Sequence, residues 1–214
     1  MFRQALATIE KSAVGNHAMA ISDQLERQGL SHPIFAETIR TPFENRVKSI
    51  GELEKTISKD DVVLYQFANP SIMADLLYEK PCRLVVNYHN VTPAHFFTKW
   101  SPDTSQAISR ARLQLARLSE VATSAIAVSQ YNAQELIELG YKNVEVIPPV
   151  FSTMFYEAKS AKRDLSHARW LYVGRIAPHK NVHILLRAFE YYLHNIDSEA
   201  KLTIVGKTDT PVYG

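Results

Sequence analysis

The chain has 214 residues, of which 46% are apolar and 21% charged, with a formal net charge of +2. That is ordinary globular composition, at a length that can bury a sizeable core. The positive excess is too small to indicate nucleic acid by itself, and the single cysteine, Cys82, excludes an internal disulfide and fits a reducing cytoplasm.

The N-terminal stretch MFRQALATIEKSAVGN carries no long apolar core and no small-residue cleavage site. No run of about 18 or more apolar residues exists, so no spanning helix is expected. Asn90-Val91-Thr92 matches a glycosylation sequon, which has no weight without a secretory route.

In chain order, FRQALATI (2–9) reads as a first strand. SAVGNHA (12–18) follows it. Gly15 there allows close approach to the backbone, either by a ligand or in a simple turn. Asn16 is expected to cap a helix running to Gly29, with Ala18, Ile21 and Leu25 on one face. PIFAETI (33–39) is a second strand candidate. Phe43, Val47, Ile50, Leu53 and Ile57 fall at helical spacing, interrupted by Gly51.

VVLYQF (62–67) is a continuous apolar run of the kind buried on both faces in parallel sheets. Asn69-Pro70-Ser71 predicts a helix start with Pro70 in the first turn. RLVVNYH (83–89) is a further strand, ending at His89 between Asn87 and Asn90. A histidine there can hydrogen-bond a sugar hydroxyl or move a proton, or it can simply bond to backbone. Phe96, Phe97 and Trp100 follow in a loop. The spacing then predicts a helix over 104–122, with Ile108, Ala111, Leu115, Leu118 and Ala122 inward. Arg110, Arg112, Arg117 and Lys99 form a basic face. It reads as a solvated surface or, alternatively, as a contact to an anionic membrane.

AIAVS (125–129) is a strand, and Ser129 caps a helix that stops at Gly140. VEVIPP (144–149) ends on two prolines, and 151–169 is charged and poorly periodic. This predicts a boundary near residue 150: an N-terminal domain over 1–150, then a linker and an incomplete second domain over 151–214. WLYVG (170–174) and LTIVG (202–206) are strands of that second domain, on either side of a helix carrying Val182, Leu185, Leu186, Phe189 and Leu193. Two strands and one helix do not complete a doubly wound sheet, so the chain reads as truncated. Strand–helix alternation throughout implies an α/β fold with a mainly parallel sheet.

Ligands of such sheets sit outside the carboxyl ends of the strands. VGRIAPHKN (173–181) is one such place. Gly174 ends the strand, and Arg175 and Lys180 flank a helix start, whose free N–H groups and positive dipole end favour an anion. Two surface cations on a solvated loop would give the same pattern. No Walker loop, no Gly-x-Gly-x-x-Gly, no Gly-x-Ser-x-Gly elbow and no Cys–His cluster occurs. His179 and His183 lie four apart, but HKNVH lacks the zinc-helix glutamate, so no metal site is expected.

SAVGNHAMAISDQLERQGL, VVNYHNVTPAHFF, AVSQYNAQELIELGYKNVEVIPPV and VGRIAPHKNVHILLRAF, in that order along the chain, resemble retaining glycosyltransferases of family 4. The resemblance implies the GT-B architecture: one Rossmann-like, acceptor-side domain plus the first βαβ unit of a donor-nucleotide domain. It implies that Arg175 and Lys180 bind the donor diphosphate. His89 would be the catalytic residue facing the donor sugar, and Gly15, Asn16, Asn90 and Gly174 would line the donor and acceptor cleft. The implied activity is hexosyl transfer, with retention, from a UDP- or GDP-linked sugar to a glycan or lipid-linked acceptor. Cell-surface polysaccharide synthesis in a bacterial cytoplasm, at times peripheral to the membrane, is the family's commonest setting. No resident cofactor, metal or nucleic acid is implied. Glu44 and Glu52 have the spacing of the family's glutamate pair but not its glycine-rich context, so that motif would lie past Gly214 and this length alone would be inactive. A non-catalytic protein of the same fold, or a nucleotide-sugar epimerase, is the alternative.

Overall fold

The computed structural model describes residues 1–30, 32–149, 166–208 and 213. They divide into two compact units, Met1–Val91 with Ala107–Met154 and Thr92–Gln106 with Phe155–Gly214. The boundary expected near residue 150 falls outside the described residues.

The first unit is built on seven strands: β1 (Phe2–Ile9), β2 (Ile34–Ile39), β3 (Val47–Ser49), β4 (Val62–Phe67), β5 (Arg83–Tyr88), β6 (Ala122–Ala127) and β7 (Val144–Val146). All pair in parallel, in the order β3-β2-β1-β4-β5-β6-β7. The chain steps outward from β1 to β3, then returns to β4 and continues the other way. The reversal lies between β1 and β4, and a doubly wound sheet opens its ligand crevice at such a reversal.

The helices between these strands are α1 (Ala13–Arg27), α2 (Ile50–Thr56), α3 (Ile72–Glu79), α4 (Pro102–Leu118) and α5 (Gln130–Glu138). Right-handed crossovers running in opposite directions place their helices on opposite faces, and the packing follows. Ala18 and Met19 of α1 pack with Leu6, Ile9, Ile34 and Ala36. Residues of α2 to α5, including Leu53, Met73, Leu77, Leu115 and Leu136, pack on the other face with Tyr65, Phe67, Val86 and Tyr88.

Four local expectations change. The helix expected over 104–122 runs from Pro102 to Leu118, and Ala122 opens β6 instead of continuing it. The helix after β1 is capped by Ser12, whose hydroxyl accepts from the Gly15 N–H, so Asn16 lies inside α1 and is exposed rather than capping it. Val47 belongs to the short edge strand β3. The helical spacing over 43–57 is real only from Ile50, where Ser49 and Glu52 form a reciprocal capping box. Ser71, not Asn69, caps α3, which leaves Pro70 just outside the helix. Ser129 caps α5 as expected, and Gly140 adopts φ +89° beyond its end.

In the second unit, β8 (Arg169–Val173) and β9 (Lys201–Val205) pair in parallel and α6 (Val182–Asn195) connects them. Trp170 packs against Phe189 and Tyr192 of α6. The opposite face carries Leu171 and Val173, 67% and 71% exposed, so burial on both faces, expected from the apolar runs, is not found here among the described residues. Phe97, at the end of a 3-10 turn over Ala94–Phe96, meets His179 in a tilted ring contact at 5.4 Å, and Trp100 lies 6.5 Å from His183.

Candidate functional site

Gln4 within β1 and the carboxyl ends of β4 and β5 carry a buried run of polar side chains. In register, Leu6 pairs with Gln66 and Gln66 with Asn87. Paired residues of parallel strands share a face, and so do residues two apart on one strand. Gln4, Gln66, Asn87 and His89 therefore point to the face covered by α1, which contributes His17. Gln4 Nε2 donates to the Ala18 carbonyl at 3.2 Å. Gln66 Nε2 donates to Gln4 Oε1 at 3.1 Å. Gln66 Oε1 accepts from Asn87 Nδ2 at 2.8 Å and lies 2.7 Å from His89 Nε2. Asn87 Nδ2 also lies 3.2 Å from His17 Nε2, and the two imidazoles meet edge to face at 5.3 Å.

Burial sets the protonation of this group. It pushes the His89 imidazole down to about 4, and the neighbouring His17 adds to the shift. Burial lowers His17 as well. Both rings are therefore neutral at pH 7.

The turn after β5 is fixed from below. Asn90 is exposed and takes φ +81°, in the left-handed region that asparagine tolerates. The Tyr88 hydroxyl donates to Glu135 Oε2 at 2.6 Å and accepts from the Val91 N–H at 3.0 Å. Arg112 pairs with Glu135 Oε1 and donates to the Val91 carbonyl at 2.8 Å. The basic face of α4 is thus largely engaged: Arg110 pairs with Asp75 at 2.8 Å, and Arg117 stacks over Tyr78 at 3.7 Å.

Gly15 is buried in the first turn of α1. A Cβ there would stand 2.1 Å from the Glu10 carbonyl oxygen, so the close approach that requires glycine is made by the chain itself.

In the second unit, Gly174 follows β8 and Arg175 is exposed on the loop beyond it. Tyr172 donates to the Arg175 carbonyl at 2.9 Å. Lys180 is exposed at the end of a 3-10 turn, Pro178–Lys180, immediately before α6. Asn181 precedes the helix at φ +53° with no side-chain cap; the His183 N–H donates to the Tyr213 hydroxyl at 3.4 Å and the Ile184 N–H to the Asn181 carbonyl at 2.9 Å. Burial lowers the His179 pKa, and the positive charges of Lys180 and Arg175 lower it further. His179 Nδ1 is buried with no hydrogen-bond partner among the described residues. Gly206, at the end of β9, was not singled out in the sequence. A Cβ there would fall 1.8 Å from the Gly174 carbonyl oxygen.

Among the described residues, no three His, Cys, Asp or Glu side chains gather as metal ligands, and no helix is long and apolar enough to cross a membrane.

The fold is α/β of the GT-B type, with a parallel seven-stranded sheet in the first unit. Its solved neighbours are glycosyltransferases. An alpha-glucosyltransferase in complex with UDP and a 13-mer DNA containing an HMU base superposes with a TM-score of 0.63 at 14% identity, over 100% of this chain and 59% of that one. An alpha-glucosyltransferase with UDP-glucose and DNA containing an abasic site gives 0.57 at 12%, over 99% and 58%. TarM gives 0.53 at 14%, over 75% and 30%. The chain thus spans less than two thirds of each of these structures. No protein-family model and no curated protein matches the sequence.

Proposed function

We propose that the chain forms the acceptor-side domain (1–150) and the opening of the donor-nucleotide domain (151–214) of a retaining glycosyltransferase. It would move a hexose from a UDP- or GDP-linked donor to a glycan or lipid-linked acceptor. The observation that carries this reading is the loop between β8 and α6. It offers Arg175, Lys180 and the positive end of α6, in a fold that superposes over its whole length on a glucosyltransferase solved with UDP.

In this reading Arg175, Lys180 and the start of α6 bind the donor diphosphate and stabilise the charge that develops on it as the glycosidic bond breaks. Such preorganised electrostatics are commonly the largest contribution to catalysis. His89, neutral and held from behind, accepts a hydrogen bond from a donor-sugar hydroxyl and orients the ring. Gly15, Asn16 and Asn90 of the first unit, and Gly174 of the second, are in this reading further contacts for donor or acceptor. No protein nucleophile is assigned, and side-chain cations take the part a metal plays elsewhere. The neighbours solved with DNA raise a DNA acceptor as a second possibility. The pairing of Arg110 and Arg112 and the stacking of Arg117 favour an uncharged glycan or a lipid-linked sugar instead. Such an acceptor would place the enzyme in the cytoplasm, at the inner face of a membrane when the acceptor is lipid-linked.

Calorimetry with UDP and GDP on the full-length protein tests the proposal. Lys180→Ala is expected to weaken binding at least tenfold without changing the unfolding midpoint. Unchanged affinity would sink the diphosphate assignment.

A further inference from the structure

The amides linking β1, β4 and β5 determine which nitrogen of His89 carries its hydrogen. Their orientation can be followed from one fixed point. The Ala18 carbonyl can only accept, so Gln4 must turn its NH2 toward it and its oxygen toward Gln66. Gln66 must then donate to Gln4 and present its own oxygen to Asn87 and His89. A flip of Gln66 would set its oxygen against Gln4 Oε1 and its NH2 against the NH2 of Asn87. Two favourable bonds would become repulsions, in a place where Gln4, Gln66 and Asn87 are at most 1% exposed. An oxygen 2.7 Å from His89 Nε2 requires a hydrogen on that nitrogen. The same logic gives His17 the opposite form, because Asn87 Nδ2 can only donate and His17 Nε2 must accept.

We propose that Gln66 is the positioning residue for His89. It accepts the Nε2–H, fixes that tautomer, and leaves the imidazole lone pair on Nδ1. This rests on, and deepens, the reading of His89 as the residue facing the donor sugar. With its lone pair on Nδ1, His89 serves a ligand group that donates, a sugar hydroxyl, and not one that only accepts. Gln66 does not touch the substrate and acts through the imidazole.

The experiment is long-range 15N NMR of the histidine rings in the 214-residue chain at neutral pH, with His89→Gln used to assign the resonances. In the unmodified chain, Nε2 of His89 should appear protonated and Nδ1 bare. Gln66→Met, which removes the acceptor at similar volume, should bring the two nitrogen resonances toward the average of two exchanging tautomers. Gln66→Glu, which restores an oxygen at the same reach, should keep Nε2 protonated. An unmodified chain with the hydrogen on Nδ1 overturns the proposal, as does a Gln66→Met spectrum in which His89 is unmoved, or loss of the Nε2 hydrogen in Gln66→Glu. If Gln66→Met does not fold, the unmodified and Gln66→Glu spectra decide. No sugar nucleotide enters the measurement. A failed tautomer leaves the donor-facing reading standing, and failed nucleotide binding leaves the tautomer standing.

Discussion

Gly15 and Glu10 approach so closely that a single added methyl on Gly15 would stand 2.1 Å from the Glu10 carbonyl oxygen. The obstacle is backbone and cannot rotate away. Gly15→Ala must therefore displace either the end of β1 or the first turn of α1, at a cost of about 1–3 kcal/mol. Urea unfolding should show the loss as a lower midpoint at unchanged slope. A variant as stable as the parent would mean that the turn is held less tightly than this contact requires.

His89 gives the stability a pH dependence of definite sign. Its folded pKa, about 4, lies below the ordinary imidazole value of 6.5 that holds in the unfolded chain. The unfolded chain therefore binds the proton first. The contribution is complete above pH 6.5, falls as pH drops through that window, and is gone near pH 4, in total up to about 3 kcal/mol. His17 is shifted in the same direction and steepens the loss. Chemical unfolding between pH 4 and 7 should show this slope, and His89→Gln should flatten it. Nucleotide binding, in turn, should show no step near pH 6.5 from His89.

The two arginines of α4 should separate cleanly. Arg110 meets Asp75 in an exposed pair, and Arg110→Ala is expected to cost less than ~1 kcal/mol. Arg112 is partly buried and ties Glu135 to the Val91 carbonyl beside the Tyr88 hydroxyl. Arg112→Ala leaves that carboxylate with less compensation and should cost ~2 kcal/mol or more. Denaturation midpoints of the two variants provide the comparison.

Gly206→Ala is expected to reach the proposed phosphate loop without touching it. The new Cβ would fall 1.8 Å from the Gly174 carbonyl oxygen, so the residues leading into Arg175 must shift. UDP affinity of the full-length protein should fall while α6 persists by circular dichroism. Retained affinity would show that the loop tolerates displacement of its base.

Most strands were readable because they are short, largely apolar runs, and VVLYQF matched β4 residue for residue. β3 escaped because three residues carry no period, and Val47 sits where a helical stripe would also place it. Ser12 and Asn16 are both good caps, and it is the bond from the Gly15 N–H to the Ser12 hydroxyl that shows which one begins the helix. His89 could be marked from its place at a strand end. Its partners could not: Gln66 is 23 residues away, and His17 lies 70 residues from Asn87. The available signal was amides embedded in apolar strands, Gln4 in FRQALATI and Gln66 in VVLYQF. It becomes specific only when the strand order places them side by side.

The two sheets also differ at their margins. The seven-stranded sheet ends on β3 and β7, each only three residues long, which offer an incoming chain little to pair with. β8 and β9 are five residues long, each with one neighbour among the described residues, and their open face exposes Leu171, Val173 and Val205. At high concentration, self-association of these 214 residues should therefore begin by strand addition at the second sheet. A lysine in place of Val173 should raise solubility more than any surface change on the first unit.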